Sequence, residues 1–237
     1  MNFPLWTQLI AKRFVTWLPF KAIATPIAFC IFFPTYFWVM EHPAPFANLR
    51  TIPALAIDQW IPVQEWALIP YASLWLYVCL ASALIHQRRE MIEYIVSATF
   101  LCVSGIAIFW LFPTSVPDFG IDWQQHPALH FLKTQDGGAN ALPSLHVAFS
   151  VFTAAFLAPQ LRDCQAPHVI RIANYVWAAL IVYSTIATRQ HVFLDALAGM
   201  LLGLIAYYPI RKLGSLISHP TKDKLAAVPF SPSTEQP

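Results

Sequence analysis

The chain has 237 residues, of which 57% are hydrophobic and only 11% carry charge, where an ordinary soluble domain has roughly 25% charged residues. That balance excludes a soluble globular enzyme and marks an integral membrane protein, while a formal charge of +2 is too small for a nucleic-acid-binding chain. Cys30, Cys79 and Cys102 lie inside apolar runs and Cys164 in a connection, so the four cysteines form neither a disulfide framework nor a zinc pattern.

A spanning helix needs about 20 mainly apolar residues, and six such runs predict an all-α integral membrane protein, a bundle of about six transmembrane helices. The first covers residues 22–40 and contains Pro26 and Pro34, which a membrane helix tolerates with a kink. Lys12, Arg13 and Lys21 ahead of it resemble the start of a signal peptide. The run is longer than the apolar core of such a segment and no small-x-small cleavage site follows it, so it is predicted as a span. Residues 41–66 are rich in Pro, Trp and scattered charge and predict a loop with an interfacial portion around residues 57–62. Three further runs cover residues 68–85, 91–112 and 145–157. Between the last two lies the longest polar connection, residues 113–143, with Asp118, Asp122, His126, His130, Lys133 and Asp136-Gly137-Gly138. Connections this long are functional or disordered. The last two runs, 169–187 and 192–210, are separated by a few residues and predict a tight antiparallel hairpin. Residues 1–217 thus form one membrane-embedded domain, and the proline-rich tail 218–237 is predicted to be disordered.

With six spans, eleven of the fourteen Lys and Arg residues fall on the side of both termini, and only Arg50, Lys133 and Arg189 on the other. Cytoplasmic loops are enriched in Lys and Arg, so both termini are predicted to be cytoplasmic. The 113–143 connection and the 188–191 turn then open together on the non-cytoplasmic face.

Two short polar stretches share that face. The first is Leu142-Pro143-Ser144-Leu145-His146, at the start of the fourth run. Ser is a preferred N-cap, and the first-turn N–H groups with the helix dipole make an anion site. The alternative is that Ser144 only caps a helix and His146 is interfacial. The second stretch is Thr188-Arg189-Gln190-His191-Val192-Phe193-Leu194-Asp195. On a helix His191 and Asp195 would share a face, and Asp195 would accept a hydrogen bond from one imidazole nitrogen, leaving the other free as nucleophile or base. The alternative is a hydrated Asp195 paired locally for structural reasons. Ala198, Gly199 and Gly203 on the same helix are small residues that permit close helix packing.

Together, Pro-Ser-Leu-His and a His-x-x-x-Asp forty-five residues later resemble the second and third signature motifs of the type-2 phosphatidic acid phosphatase superfamily, over about residues 68–210. The resemblance implies that His191 attacks phosphorus to give a phosphohistidine, Asp195 orients it, His146 protonates the leaving oxygen and Ser144 holds a phosphate oxygen, with no cofactor and no metal. Three positions depart from the family pattern. The first motif, a Lys followed by an Arg-Pro, should fall near residues 111–118, which contain no Lys or Arg; the third motif's usual upstream Arg is Thr185; and Leu145 stands where Gly is common. These changes make the chain similar to the branch with inositol phosphorylceramide synthases and sphingomyelin-synthase-like transferases.

With two cationic positions absent, Arg189 is the expected phosphate ligand, since Arg suits bidentate contact; the alternative is a snorkelling interfacial residue. Lys133 is a second candidate, and Thr114, Ser115, Thr188 and Gln190 are neutral donors among which nothing discriminates. His126 and His130 are four apart, but two histidines without a third ligand read as a loop turn, not a metal site. The resulting expectation is a lipid phosphatase that hydrolyses a lipid phosphomonoester or related lipid phosphate, embedded among membrane lipids, the chain's compactness pointing to a bacterial inner membrane. The alternative enzyme is a headgroup phosphotransferase with a lipid or polyol acceptor. A transporter using Asp195 as an ion site is a third reading, weakened by the lack of an inverted repeat.

Overall fold

The computed structural model describes residues 3–135 and 138–217. The predicted tail, and Asp136 and Gly137 of the long connection, lie outside the described residues. An amphipathic helix α1 (Leu5–Val15) leads into α2 (Leu18–Glu41). A short α3 (Ala56–Trp60) follows, then α4 (Leu68–Ala83), α5 (Arg88–Leu111), α6 (Pro127–Gln135), α7 (Leu145–Asp163), α8 (His168–Ala187) and α9 (Phe193–Ile217). Each of the six predicted apolar runs is a helix, as it must be where lipid offers no partners to the backbone.

Among the described residues four helices are long and apolar enough to cross a membrane: α2, α4 with the turn that precedes it, α5 and α8. Length and composition thus support four of the six expected spans, and α7 and α9 fall short of that measure for different reasons. In α9 the apolar stretch runs only from Phe193 to Pro209. Helix α7 is the axis of the bundle, packed against α4, α5, α8 and α9, so its surface meets protein and can carry polar groups. Its Ser150 hydroxyl donates to the Ala178 carbonyl at 3.1 Å, and Gln160 Nε2 to the Ala81 carbonyl at 3.3 Å. Asn174 of α8 donates to the Ala154 carbonyl at 3.1 Å and accepts from the Tyr77 hydroxyl at 2.7 Å. Such bonds, which have no water to compete with them, tie neighbouring membrane helices together.

The closest approach is between α7 and α9. A Cβ on Gly199 would collide with the Ser144 carbonyl oxygen, and one on Gly203 would meet the Ala148 carbonyl. These two glycines let α9 lie directly on the backbone of α7. Gly105 of α5 does the same for a side chain, leaving the room that Leu145 fills.

The two ends of the bundle differ. At one end α1 crosses beneath the loops: Arg13 lies 3.6 Å from Asp163, the Trp17 indole donates to the His86 carbonyl at 3.2 Å, and Lys21 Nζ donates to the Ala83 carbonyl at 2.6 Å. Arg89 and Arg211 both face Glu93 there, at 2.8 and 3.8 Å. At the other end lie both polar stretches and the long connections. The only strands among the described residues are a two-residue pair here. Strands β1 (Arg50–Thr51) and β2 (Thr114–Ser115) pair in parallel, and Thr114 also bridges to Asn140. Three loops that meet at one mouth satisfy their backbone groups on one another, which a buried loop must do.

Candidate active site

The first polar stretch enters from β2 through residues 139–144. The Thr114 hydroxyl accepts from the Leu142 N–H at 2.8 Å and the Thr114 carbonyl from the Ala141 N–H at 2.9 Å. The chain then turns into α7, with Ser144 as N-cap accepting from the Val147 N–H at 3.3 Å. His146, one residue into the helix, stacks on Tyr71 with ring centroids 3.9 Å apart and meets Trp75 edge-on at 5.5 Å. Its Nε2 lies 3.3 Å from the Tyr71 carbonyl. A carbonyl can only accept, so this nitrogen carries the proton.

The second stretch is a tight turn. The N–H groups of Gln190 and His191 both donate to the Thr185 carbonyl, at 3.1 and 3.0 Å, and Arg189 adopts a left-handed φ of 57°. Helix α9 starts only at Phe193, so His191 stands before the helix and the four-residue helical spacing to Asp195 does not apply. The expected His191–Asp195 hydrogen bond is therefore corrected. His191 Nδ1 bonds to the Ala141 carbonyl at 3.0 Å, while Asp195 Oδ2 lies 3.6 Å away. By the same reasoning Nδ1 holds the proton, and Nε2 keeps its lone pair. Asp195, fully buried, accepts from the Val192 N–H at 2.9 Å and caps the positive end of α9. Its Oδ1 has no hydrogen-bond partner among the described residues. The Asp195 carbonyl takes the Ser144 N–H at 3.0 Å and joins the two stretches directly.

His146 and His191 line one cavity of about 210 Å³, bounded by Tyr36, Tyr71, Trp75, Asn140 and Gln190 and reached by Leu132 of α6. Of the five predicted site residues, the structure brings these two to the cavity wall, with Asp195 behind them. It does not bring Ser144 or Arg189 there. Ser144 is fully buried in its capping role. Arg189 turns away from the cavity because α3 and its exit offer it carbonyls. Its two terminal nitrogens donate to the Asp58 carbonyl at 2.5 Å and the Ile61 carbonyl at 2.7 Å, and the guanidinium sits 4.2 Å over the Phe119 ring. Burial lowers its pKa, and the nearby Asp58 carboxylate opposes that shift.

Two residues emerge that sequence reasoning did not single out. Gln190 Nε2 is buried on the cavity wall without a hydrogen-bond partner among the described residues, so its donor is available to an anionic oxygen. Asp58 is fully buried, in a segment predicted to be interfacial. One carboxylate oxygen accepts the Phe193 N–H at 2.7 Å and the other the Leu55 N–H at 2.7 Å. It thus caps α9 beside Asp195 and anchors Arg189 at once. The available signal was a lone acid inside the apolar stretch Ile57-Asp58-Gln59-Trp60-Ile61.

Among the described residues no Lys or Arg lines the cavity. Lys133 sits in the last turn of α6. His126 pairs with Glu65 at 3.4 Å, and among the described residues no group of three His, Cys, Asp or Glu side chains could hold a metal ion. The arrangement offers one imidazole nitrogen with a free lone pair, a second imidazole bearing a proton, and neutral amide donors, which suits covalent transfer of an acyl or phosphoryl group.

No curated protein and no solved structure matches the chain. A family model of the PAP2 superfamily matches residues 53–209, from just before α3 to the last apolar turn of α9, and takes in both histidines, Asp195 and Asp58. Together with its four span-length apolar helices, that match makes the chain a membrane protein belonging to the PAP2 superfamily, the type-2 phosphatidic acid phosphatases and phosphotransferases that act on lipid phosphates.

Proposed function

We propose that the protein is a lipid phosphatase that hydrolyses a lipid phosphomonoester or related lipid phosphate through a phosphohistidine on His191. The observation that carries this reading is the hydrogen bond from His191 Nδ1 to the Ala141 carbonyl at 3.0 Å, which leaves Nε2 as the nucleophile. In the first step Nε2 of His191 forms a bond to phosphorus as the bond to the lipid oxygen breaks, and His146, entering as an imidazolium, gives that oxygen the proton on Nδ1 and becomes neutral while its Nε2–H stays on the Tyr71 carbonyl. In the second, a water loses a proton to His146 as its oxygen attacks phosphorus, and the N–P bond breaks to restore His191. Asp195 is a positioning residue in this scheme: it caps α9 and places negative charge 3.6 Å from the imidazole that becomes positively charged. Gln190 Nε2 and Asn140 replace the Ser144 and Arg189 contacts expected from the sequence as donors to the phosphoryl oxygens. The cluster of Arg13, Lys21, Arg89 and Arg211 at the far end supports a cytoplasmic location for that end, which puts the cavity on the non-cytoplasmic face.

One observation favours the second reading, a headgroup phosphotransferase. Leu132 of α6, with Tyr36, Tyr71 and Trp75, gives the cavity a largely apolar wall, and an apolar site that holds water away from the intermediate favours transfer. Purified protein given a labelled lipid phosphate, with and without a diacylglycerol or polyol acceptor and beside His191→Ala, separates the two. Phosphate released without acceptor and lost in the variant supports hydrolysis. Label that moves only with acceptor present establishes transfer, and no His191-dependent turnover on any lipid phosphate sinks both.

A further inference from the structure

His146 enters the reaction as a cation, and a cation in an apolar-walled site is costly unless something meets its charge. Among the described residues no Asp or Glu lines the cavity. The titratable groups that share the cavity with His146 are the His191 imidazole and the hydroxyls of Tyr36 on α2 and Tyr71 on α4. Asp195 stands behind His191, 3.6 Å from its Nδ1. Helix α5 contributes Phe109, and on α6 Lys133 follows Leu132 without lining the cavity.

What meets the charge comes from one residue. Tyr71 and Trp75 are four apart on α4, hence on one face, and both reach His146 at the start of α7. The Tyr71 ring is stacked on the imidazole, with centroids 3.9 Å apart and planes only 11° from parallel. The carbonyl of the same residue takes the Nε2–H at 3.3 Å. A cation within about 6 Å of a ring centroid, over the ring face, is attracted by the ring quadrupole. A neutral imidazole has no charge to be attracted. Trp75 meets the imidazole at 78° and is itself backed by Phe29 and Phe33 of α2, at 6.0 and 4.8 Å between centroids.

We propose that Tyr71 is a positioning residue for the acid: its ring face and its main-chain carbonyl favour the imidazolium form of His146 over the neutral form and leave the Nδ1 proton for the leaving oxygen. The ring acts through charge, and a ring that only filled space would not change the protonation of its neighbour. This inference rests on reading the cavity as the reaction site with His146 as acid, and the test keeps the two apart.

The full chain in lipid nanodiscs releases phosphate from saturating tetradecyl phosphate, and kcat is followed from about pH 5 to 9, where its alkaline limb reports loss of the His146 proton in the complex. Tyr71→Leu removes the ring and keeps the carbonyl, and the limb moves to lower pH by about one unit, a tenfold loss of the charged form. Tyr71→Phe keeps the face and holds the limb within about 0.3 units. Phenylalanines bearing one, two and three fluorines at position 71 keep the shape of the ring while drawing charge from its face, and the limb falls stepwise along that series. A thermal melt of each variant reports the fold. A limb that stays in place through Leu and the fluorinated rings, or that falls as far in Phe as in Leu, overturns the inference. If His146→Asn keeps turnover, or no alkyl phosphate is turned over, the reaction-site reading fails instead, and the inference is judged on the imidazole alone. Isotope-labelled histidine, with the His146 signal identified by its loss in His146→Asn, is then titrated by NMR in the same variants. Midpoints ordered Tyr and Phe above the trifluorinated ring, with Leu lowest, support it, and coincident midpoints overturn it.

Discussion

Replacing Asp58 with Asn tests whether a residue far from either motif holds the nucleophile in place. The substitution keeps the size of the side chain, but only one oxygen remains to serve the N–H groups of Phe193 and Leu55, which the carboxylate now accepts at 2.7 Å each. One charge-assisted hydrogen bond is lost, worth about 1.5–3 kcal/mol. The α9 cap weakens, a loss of about 1 kcal/mol, and the buried Arg189 keeps its charge without the neighbouring carboxylate. A cost of about 3 kcal/mol concentrated on residues 188–195 corresponds to about a hundredfold in population of the ordered turn. The expected result is a fall in kcat of ten- to a hundredfold with KM changed less than threefold, because the cavity walls that bind substrate are untouched. Asp58→Glu restores the charge and recovers part of kcat. Steady-state phosphate release on a long-chain lipid phosphate, beside a thermal melt in detergent, makes the measurement. A kcat within twofold of wild type, or a loss that appears only as lowered global stability, would refute the reasoning.

Three further outcomes follow from the same geometry. Gln190→Ala removes the unpartnered donor on the cavity wall and lowers kcat by roughly ten- to a hundredfold, somewhat below the loss of an oxyanion-hole donor; Gln190→Glu, adding negative charge beside the phosphoryl group, falls further, and a Glu variant more active than Ala counts against the assignment. Arg189→Lys cannot reach both the Asp58 and Ile61 carbonyls, so kcat drops while the inhibition constant for free phosphate stays within about twofold; a large change in that constant would return Arg189 to the phosphate. Gly199→Ala drives a methyl group into the Ser144 carbonyl, costing about 1–3 kcal/mol of stability and separating His146 from His191, and a melt together with kcat at low temperature checks both.

The six apolar runs were legible because lipid exposure imposes long hydrophobic stretches that tertiary contacts cannot override. The same logic explains why α7 does not stand out as a span on hydropathy alone. Helix α7 sits at the centre, where Ser150 and Gln160 donate to carbonyls of neighbouring helices, so its composition is less apolar than that of the lipid-facing helices. In the site, residue identities carried well and relations between them did not. His191 and Asp195 were paired by helical spacing, but the turn closed on the Thr185 carbonyl delays α9 to Phe193 and hands the imidazole to Ala141. Arg189 was assigned to phosphate because a cation beside a nucleophile is the natural ligand. Its true partners are main-chain carbonyls more than 120 residues earlier in the sequence, and no local pattern encodes them. Asp58 was hidden for the same reason.

The stitch between Thr114 and Asn140 has a consequence for how this protein diversifies. The intervening excursion, α6 included, departs and returns at two bonded neighbours, so insertions or deletions within it change little beyond a slowly varying loop-closure entropy. Ala141, one residue past the stitch, keeps its carbonyl on His191 whatever length the excursion takes. A changed excursion thus alters what borders the cavity at Leu132, while the His191 imidazole keeps an unchanged mount.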